Sequence, residues 1–275
     1  MSKPKTADGY ALAQLLQVRA TLLYLASILG DLLDDLVVVG GLVPSLLIAS
    51  SASAGDAHVG TGDLDLGLEI AFLESGRYHT LAERLRGSGF AADRNEQAQV
   101  TRQRWRHPRT TATIDFLMPP TREGQKGGSL QDLEADLAAM VTPGLALAFR
   151  DRQIVRVEGR TLLDESLARD IPVCGPGAFV VLKSLALRRR GENKDAYDLY
   201  YLLRYYGDDV EAVAGHLKPL LEDDVAREGI GYLREDFATM DSIGPSRVAA
   251  FLACSDDEAF KADLAGLVER LLRGL

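Results

Sequence analysis

The segment Asp63-Leu64-Asp65-Leu66-Gly67-Leu68 alternates strictly between leucine and a smaller or acidic residue. Alternate side chains of a β-strand point to the same face, so the leucines share one face and Asp63 and Asp65 share the other. Leucines around each aspartate indicate an internal strand, where carboxylates are costly unless their charge is compensated. Paired carboxylates suit a hard divalent cation, so the pattern predicts a Mg²⁺ site at Asp63 and Asp65.

A glycine pair precedes this strand. The β-branched run Val37-Val38-Val39 predicts a buried strand, which stops at Gly40 and Gly41 before a helical pattern begins. Glycines at the start of a helix present bare backbone N–H groups, which bind phosphate. We therefore predict a phosphate-binding turn; the alternative is an ordinary tight turn, and the three-glycine dinucleotide fingerprint is missing. A phosphate turn near a metal site indicates chemistry on a nucleoside triphosphate.

A third carboxylate follows in a predicted hairpin, whose strands are Ala98–Arg106 and Thr110–Met118. Asp115 lies in an otherwise apolar or threonine-rich strand, on the face opposite Ile114 and Phe116. Following Asp63 and Asp65 along the chain, it is predicted to be either a third metal ligand or a base for an attacking hydroxyl.

The other elements follow from hydrophobic periodicity and from breaker residues. Segment 152–163 is predicted to be a short hairpin with Gly159 near its turn, and segment 171–177 a Pro/Gly-rich connector. This connector divides the chain into an α/β domain, residues 1–170, and a helical domain, residues 171–275. Segment 50–62 is predicted to be a loop, with His58 as an exposed residue. The predicted helices include Tyr10–Leu33, Leu42–Ala49, Tyr78–Gly87, Ala178–Arg190 and Lys194–Tyr206.

Composition restricts the class of protein. The chain has 275 residues, of which 47% are hydrophobic, so it can bury a sizeable core. Its two cysteines are far apart in sequence, which fits a reducing compartment. The apolar runs contain polar residues and are too short to cross a bilayer. We therefore expect a soluble cytoplasmic protein with no membrane partner.

Two cationic side chains of interest lie in the predicted helix Ala178–Arg190. Lys183 interrupts an apolar helix, and Arg190 follows on nearly the same face, so the two could meet a triphosphate together. Lys183 could instead extend to water. Asp195 and Asp198 open the next helix, where acidic residues favour the helix dipole, and either could instead anchor Lys183 or Arg190.

Arginines form two local groups in a chain whose formal net charge is −9. Such clusters could follow an RNA backbone, and a solvated sheet face is the equally weighted alternative. The groups are Arg102, Arg104, Arg106 and Arg109, and then Arg150, Arg152, Arg156 and Arg160.

The order of these motifs resembles the AbiEii/AbiGii toxin family. These proteins are nucleotidyltransferases of the DNA polymerase β-like superfamily, and they act as the toxins of bacterial toxin–antitoxin and abortive-infection systems. The resemblance covers about Leu36 to Leu203. It implies an α/β (α+β) fold: a mixed β-sheet core flanked by helices, then a helical C-terminal part. The motifs are Val-Val-Gly40-Gly41, His58 with Thr61-x-Asp63-Leu64-Asp65, Asp115, Lys183-x-x-Ala186-x-x-x-Arg190 and Lys194-Asp195-x-x-Asp198.

The same resemblance implies roles for individual residues. Asp63 and Asp65, with Asp115 as a third carboxylate, correspond to Mg²⁺ ligands. Nucleotide contacts fall on Gly40, Gly41, Ser45, Thr61, Lys183 and Arg190, and Asp195 is the acid of the late motif.

The expected function is transfer of a nucleoside monophosphate from an NTP to an acceptor hydroxyl, with pyrophosphate as the leaving group. An RNA end, such as that of tRNA, is the expected acceptor, and a cognate antitoxin is a further expected partner. Two alternatives stay open. The acceptor could be a protein or a small molecule, or the chain could bind a nucleotide or a partner without turnover, since Val59 stands where the family commonly has arginine.

Overall fold

A computed structural model describes residues 4–48, 57–74 and 76–275. The fold class is confirmed: within these residues an open mixed sheet is flanked by helices and followed by a helical C-terminal part. The strands are β1 (Leu36–Val39), β2 (Asp63–Leu68), β3 (Ala91–Arg94), β4 (Val100–Arg106), β5 (Thr113–Met118), β6 (Leu130–Asp132), β7 (Ala138–Val141), β8 (Arg152–Arg160) and β9 (Ser166–Cys174).

The α-helices of the described residues begin with α1 (Leu12–Leu29), α2 (Val43–Leu47), α3 (Ile70–Glu74), α4 (Tyr78–Gly87) and α5 (Ala146–Arg150). The C-terminal helices are α6 (Pro176–Arg190), α7 (Asn193–Tyr205), α8 (Val210–Leu217), α9 (Asp224–Asp236), α10 (Ile243–Phe251) and α11 (Glu258–Arg273). The predicted segments Leu42–Ala49 and 50–62 lie partly outside the described residues.

The sheet has the strand order β3-β4-β5-β2-β1-β9-β8. β2 lies between antiparallel β1 and parallel β5, as expected of an internal strand. One edge of β5 is shared: β4 pairs with its N-terminal half, and β7 pairs with Leu117 and Met118. The predicted hairpin of β4 and β5 is therefore confirmed.

The buried face of β2 explains its central position. Leu64, Leu66 and Leu68 are at most 2% exposed, whereas Asp63 and Asp65 on the opposite face are half-buried. The alternation read from the sequence thus matches the observed faces. Burying each leucine contributes on the order of 2 kcal/mol, which fixes the register that brings the aspartates to one side.

Two predictions around β8 and β9 have the wrong bounds. The predicted hairpin is present and Gly159 lies near its turn, opposite Leu167 and one residue before β8 ends, but the hairpin extends beyond segment 152–163 because its second strand is β9. Asp164 adopts a left-handed conformation in this turn, with φ of 64°, while the Thr161 hydroxyl accepts from two backbone N–H groups. The predicted start of the connector at residue 171 is also wrong, because Ile171–Cys174 form the buried end of β9. β9 meets β1 in register at Val38 and Val173, so Pro172 interrupts little of that pairing.

The chain divides into two compact units. So far as they are described, the first contains Ala11–Val43 and Gly60–Cys174, and the second contains Ser2–Tyr10, Pro44–Val59 and Gly175–Leu275. The prediction divided the chain once, at residues 170 and 171. The second unit instead draws on three separate segments.

Within the second unit, α6 packs against α7, α8 and α9, and α7 packs against α10. α6 begins at Pro176, where a missing N–H costs nothing, and ends at Arg190. The next residue, Gly191, has a φ of 64° and caps the helix by donating its N–H to the carbonyl of Leu187. An aromatic cluster of Tyr197, Tyr201 and Phe251 forms the core beside α7.

One helical stretch among the described residues, Leu12–Asp35, is long and apolar enough to cross a membrane by length and composition. The sequence analysis judged the apolar runs too short and interrupted by polar residues, although its predicted helix Tyr10–Leu33 covers most of this stretch. Half of an 18-residue part of this stretch is buried inside the protein, and Val18, Leu22 and Leu29 belong to the core. One helix of this kind is weak evidence for a membrane span, because core helices can have the same length and composition.

Candidate active site

The glycine turn packs directly against the β2 carboxylates in the first unit. Gly40 has φ of 74°, and a Cβ atom at this position would overlap the carboxylate of Asp65. A Cβ atom at Gly41 would lie 3.1 Å from the hydroxyl oxygen of Thr61. Both glycines therefore let the turn approach side chains that a larger residue would displace.

The three predicted carboxylates lie on one sheet face. Asp65 is directly opposite Asp115 in the parallel ladder of β2 and β5, and Asp63 is opposite Thr113. The Thr113 hydroxyl donates to Asp63 Oδ1 at 3.0 Å. Opposed residues in a ladder point to the same side, so the structure brings Asp63, Asp65 and Asp115 together.

Arg104 holds Asp115 in a bidentate ion pair. Its Nε donates to Oδ1 at 2.7 Å and its Nη2 to Oδ2 at 2.6 Å, from the directly opposed position on β4. Hydrogen bonding to Asp115 raises the pKa of the Arg104 guanidinium, and the charges of Asp63 and Asp65 add to this rise. The sequence prediction assigned Arg104 to an RNA-facing group and missed this pairing.

The donor set of Asp63 and Asp65 suits a hard divalent cation, because both residues offer carboxylate oxygens on an accessible face. Within residues 4–48, 57–74 and 76–275, the structure shows no group of three or more His, Cys, Asp or Glu side chains arranged to hold a metal ion. Joint binding by all three aspartates stays a prediction.

No protein-family model and no curated protein matches this chain.

The second unit gathers the other predicted residues. Lys183 is buried and donates to Asp195 Oδ1 at 2.9 Å and to Asp198 Oδ2 at 2.7 Å. Arg190 makes a bidentate pair with Asp195, with both contacts at 2.6 Å. The structure therefore confirms the alternative that these aspartates anchor Lys183 and Arg190. A role of the two cations in triphosphate binding stays a prediction.

The charges of this ion-pair network fix its protonation. Burial alone would lower the pKa of Lys183, but the carboxylates of Asp195 and Asp198 outweigh it and raise this pKa above its usual value. Burial likewise opposes ionisation of Asp195, yet Lys183 and Arg190 lower the pKa of that carboxyl. The residues are therefore ionised and mutually satisfied at neutral pH.

His58 and Lys194 complete the network, a role that the sequence analysis did not assign to either residue. His58 was expected to be exposed but is 6% exposed, and its Nε2 donates to Asp198 Oδ1 at 2.8 Å. Burial and the charge of Lys194 lower the pKa of His58 to about 4, against the pull of Asp198. Burial also lowers the pKa of Lys194 to about 8. The i,i+4 spacing of Lys194 and Asp198 was the available sequence signal.

Ser45 lies in α2, in a part of the chain that belongs to the second unit. Thr61, Gly40 and Gly41 belong to the first unit with the three aspartates. The structure thus brings part of the predicted nucleotide-binding set together, and it leaves the contribution of Ser45 as a prediction.

The predicted arginine face of β4 is present and carries compensating charge. Arg102 pairs with Asp132 at 3.0 Å and Arg106 with Asp93 at 3.2 Å. These two arginine side chains are 40% and 49% exposed. The Arg102–Asp132 pair is exposed on both sides and contributes little to stability, whereas the Asp93 carboxylate in the other pair is only 14% exposed.

Proposed function

We propose that the chain is a nucleotidyltransferase that transfers a nucleoside monophosphate from an NTP to an acceptor hydroxyl. One observation carries the proposal: three aspartates share a face of β2 and β5, and a left-handed glycine turn packs against one of them. Paired carboxylates and a phosphate-binding turn are the parts that this chemistry requires. The resemblance to the AbiEii/AbiGii family supports the same reaction.

Asp63 and Asp65 are the residues that would hold Mg²⁺, with Asp115 as a third carboxylate. When bound, the cation would neutralise the charge of the phosphates that react. Glycine at position 40 leaves room for the Asp65 carboxylate, which any larger residue at that position would displace. This supports Asp65 as a Mg²⁺ ligand.

The chain itself supplies orientation. The backbone N–H groups of Gly40 and Gly41 are assigned to the phosphates, since unsubstituted glycine backbone admits close approach. In the reaction, the acceptor oxygen bonds to the α-phosphorus while the bond from that phosphorus to the bridging oxygen breaks. Pyrophosphate leaves with the bond electrons, and the hydroxyl proton passes to solvent.

An RNA end, with tRNA as the leading example, is the proposed acceptor. The exposed arginines of β4 lie on the same strand face as Arg104, and the surface pair of Arg102 with Asp132 is weak enough to exchange for phosphate. A toxin role in the bacterial cytoplasm, with a cognate antitoxin as partner, follows from the family resemblance and belongs to this proposal.

The test is a transfer assay with labelled NTPs, total RNA and cell lysate. We expect label in the RNA fraction with the wild-type chain, and none with Asp63→Asn. Asp263→Asn, which removes a half-exposed carboxylate paired with Arg204, is the matched control and should transfer normally. Transfer that survives in Asp63→Asn would contradict the mechanism, whereas label in protein or small molecules would contradict only the RNA acceptor.

A further inference from the structure

Arg104 is the cation that the fold builds into the carboxylate face. The ladder of β4 and β5 fixes it opposite Asp115. Its Nε and Nη2 groups each donate to a different oxygen of the Asp115 carboxylate. The Asp115 side chain is 14% exposed, while that of Arg104 is 37% exposed. The pair is therefore partly shielded from water, where charge–charge interactions are stronger than at an open surface.

Arg104 is the charged partner of Asp115, one of the three carboxylates on this face. Arg104 also occupies both oxygens of Asp115 with charge-assisted hydrogen bonds, the strongest class in proteins. A second divalent cation would have to displace this guanidinium and then remain beside it.

We propose that Arg104 is a positioning residue that limits the nucleotide-free protein to one divalent cation, bound at Asp63 and Asp65, by retaining Asp115. The proposal rests on the proposed function, because it concerns the same site. It adds an order of events: Asp115 becomes available to a second cation only when the phosphates of a nucleotide bring further negative charge to the face.

The test is a calorimetric titration of the full-length, nucleotide-free protein with Mn²⁺. Wild type should bind one Mn²⁺. Arg104→Gln should bind two, the first about tenfold more tightly, because a neighbouring positive charge is gone. Arg102→Gln is the matched control: it removes an arginine from the same strand face, where Asp132 is the partner, and should bind one Mn²⁺ with wild-type affinity.

Three further variants extend the test, and the first two keep it decisive if Arg104→Gln folds poorly, as judged by its thermal unfolding. Arg104→Lys retains the charge and should keep a single Mn²⁺. Asp115→Asn should also keep one Mn²⁺ with near wild-type affinity, because Asp115 is not a ligand in the nucleotide-free protein. Combining Asp115→Asn with Arg104→Gln should remove the second Mn²⁺.

Several results would overturn the proposal. These are two Mn²⁺ or none on wild type, loss of Mn²⁺ in Asp115→Asn, unchanged or weaker binding in Arg104→Gln, or an equal gain in Arg102→Gln. The titration reads metal binding without nucleotide, and the transfer assay reads labelled product. Label transfer with an unchanged Arg104→Gln titration would therefore reject only the positioning role, and absence of transfer would reject the function itself.

Discussion

Gly40 is the residue at which the backbone and the site constrain each other most closely. Its φ of 74° is costly for any residue with a Cβ atom, and that atom would overlap the Asp65 carboxylate. We expect Gly40→Ala to lower the free energy of unfolding by about 2 kcal/mol or more, the sum of backbone strain and a displaced side chain. Urea unfolding followed by circular dichroism measures this loss.

Gly62→Ala is the matched control for this substitution. A Cβ atom at Gly62 would meet no heavy atom within 4 Å, so its unfolding free energy should change by less than about 0.5 kcal/mol. Equal stability of the two variants would show that the turn at Gly40 can shift away from Asp65, contrary to the packing described here.

His58 should make the protein acid-sensitive. Its pKa is about 4 in the folded protein and about 6.5 for an unperturbed histidine, so the unfolded chain takes up the proton first as the pH falls. The stability that neutral His58 provides is therefore complete above pH 6.5 and is lost as the pH falls through 4. The loss should be about 3 kcal/mol at most. Urea unfolding between pH 4 and pH 7 measures it.

Carboxyl groups titrate in the same acidic range, so the comparison must isolate the imidazole. His58→Gln keeps an N–H donor for Asp198 but does not titrate. Its unfolding free energy should depend less steeply on pH than that of wild type. Parallel pH profiles of the two proteins would mean that His58 is not the group responsible.

The residues that the sequence predicted correctly are those whose geometry is local. Asp63 and Asp65 share a face because a strand alternates, and a glycine pair after a strand indicates a turn. The pairing of Arg104 with Asp115 depends on hairpin register, which the sequence did not specify. The burial of His58 depends on Asp198, which lies 140 residues away along the chain. Local patterns carry no information about such partners.

Buried ion pairs join helices α6 and α7, and water cannot take the place of either charged partner in them. Asp198 is fully buried and binds Lys183, Lys194 and His58, which come from both helices and from the segment before β2. We expect Asp198→Asn to lower the free energy of unfolding by about 3–5 kcal/mol, because it leaves buried cations without their counter-charge. Chemical denaturation at neutral pH measures the change.

An exposed carboxylate provides the reference for this substitution. Asp263 pairs with Arg204 at 3.4 Å, and its side chain is 51% exposed, so Asp263→Asn should cost less than about 1 kcal/mol. If Asp198→Asn were no more destabilising than Asp263→Asn, the network would not support the packing of α6 on α7.

Elements were predicted well where one signal dominated. β2 and β5 were visible from alternation, and α6 and α7 from apolar periodicity with breaks at Gly191. β9 was misread because Pro172 and the following glycines outweighed Ile171 and Val173 in a local reading. Its true position comes from long-range pairing with β8 and β1, which buries these apolar residues and makes the proline tolerable.

The second unit depends on segments that are distant in sequence. Tyr10, Ile48 and Val59 pack against the cluster of Tyr197, Tyr201 and Phe251, and the Val59 N–H donates to the Tyr197 hydroxyl at 3.3 Å. A domain boundary drawn once along the chain omits these contributions. The core of the helical C-terminal part therefore includes side chains from two segments outside it.

The fragment 175–275 tests this dependence. Without Ser2–Tyr10 and Pro44–Val59, it lacks the side chains that cover its aromatic cluster and lacks His58 as a partner of Asp198. We expect it to retain helical circular dichroism, to bind a hydrophobic dye and to unfold without a sharp transition, whereas the full chain unfolds cooperatively. In the full chain, Tyr10→Ser should make unfolding less cooperative and increase dye binding to a smaller extent, since the ring centroids of Tyr10 and Phe251 are 5.8 Å apart. A fragment that excludes the dye and unfolds cooperatively would show that the C-terminal helices form a complete core alone.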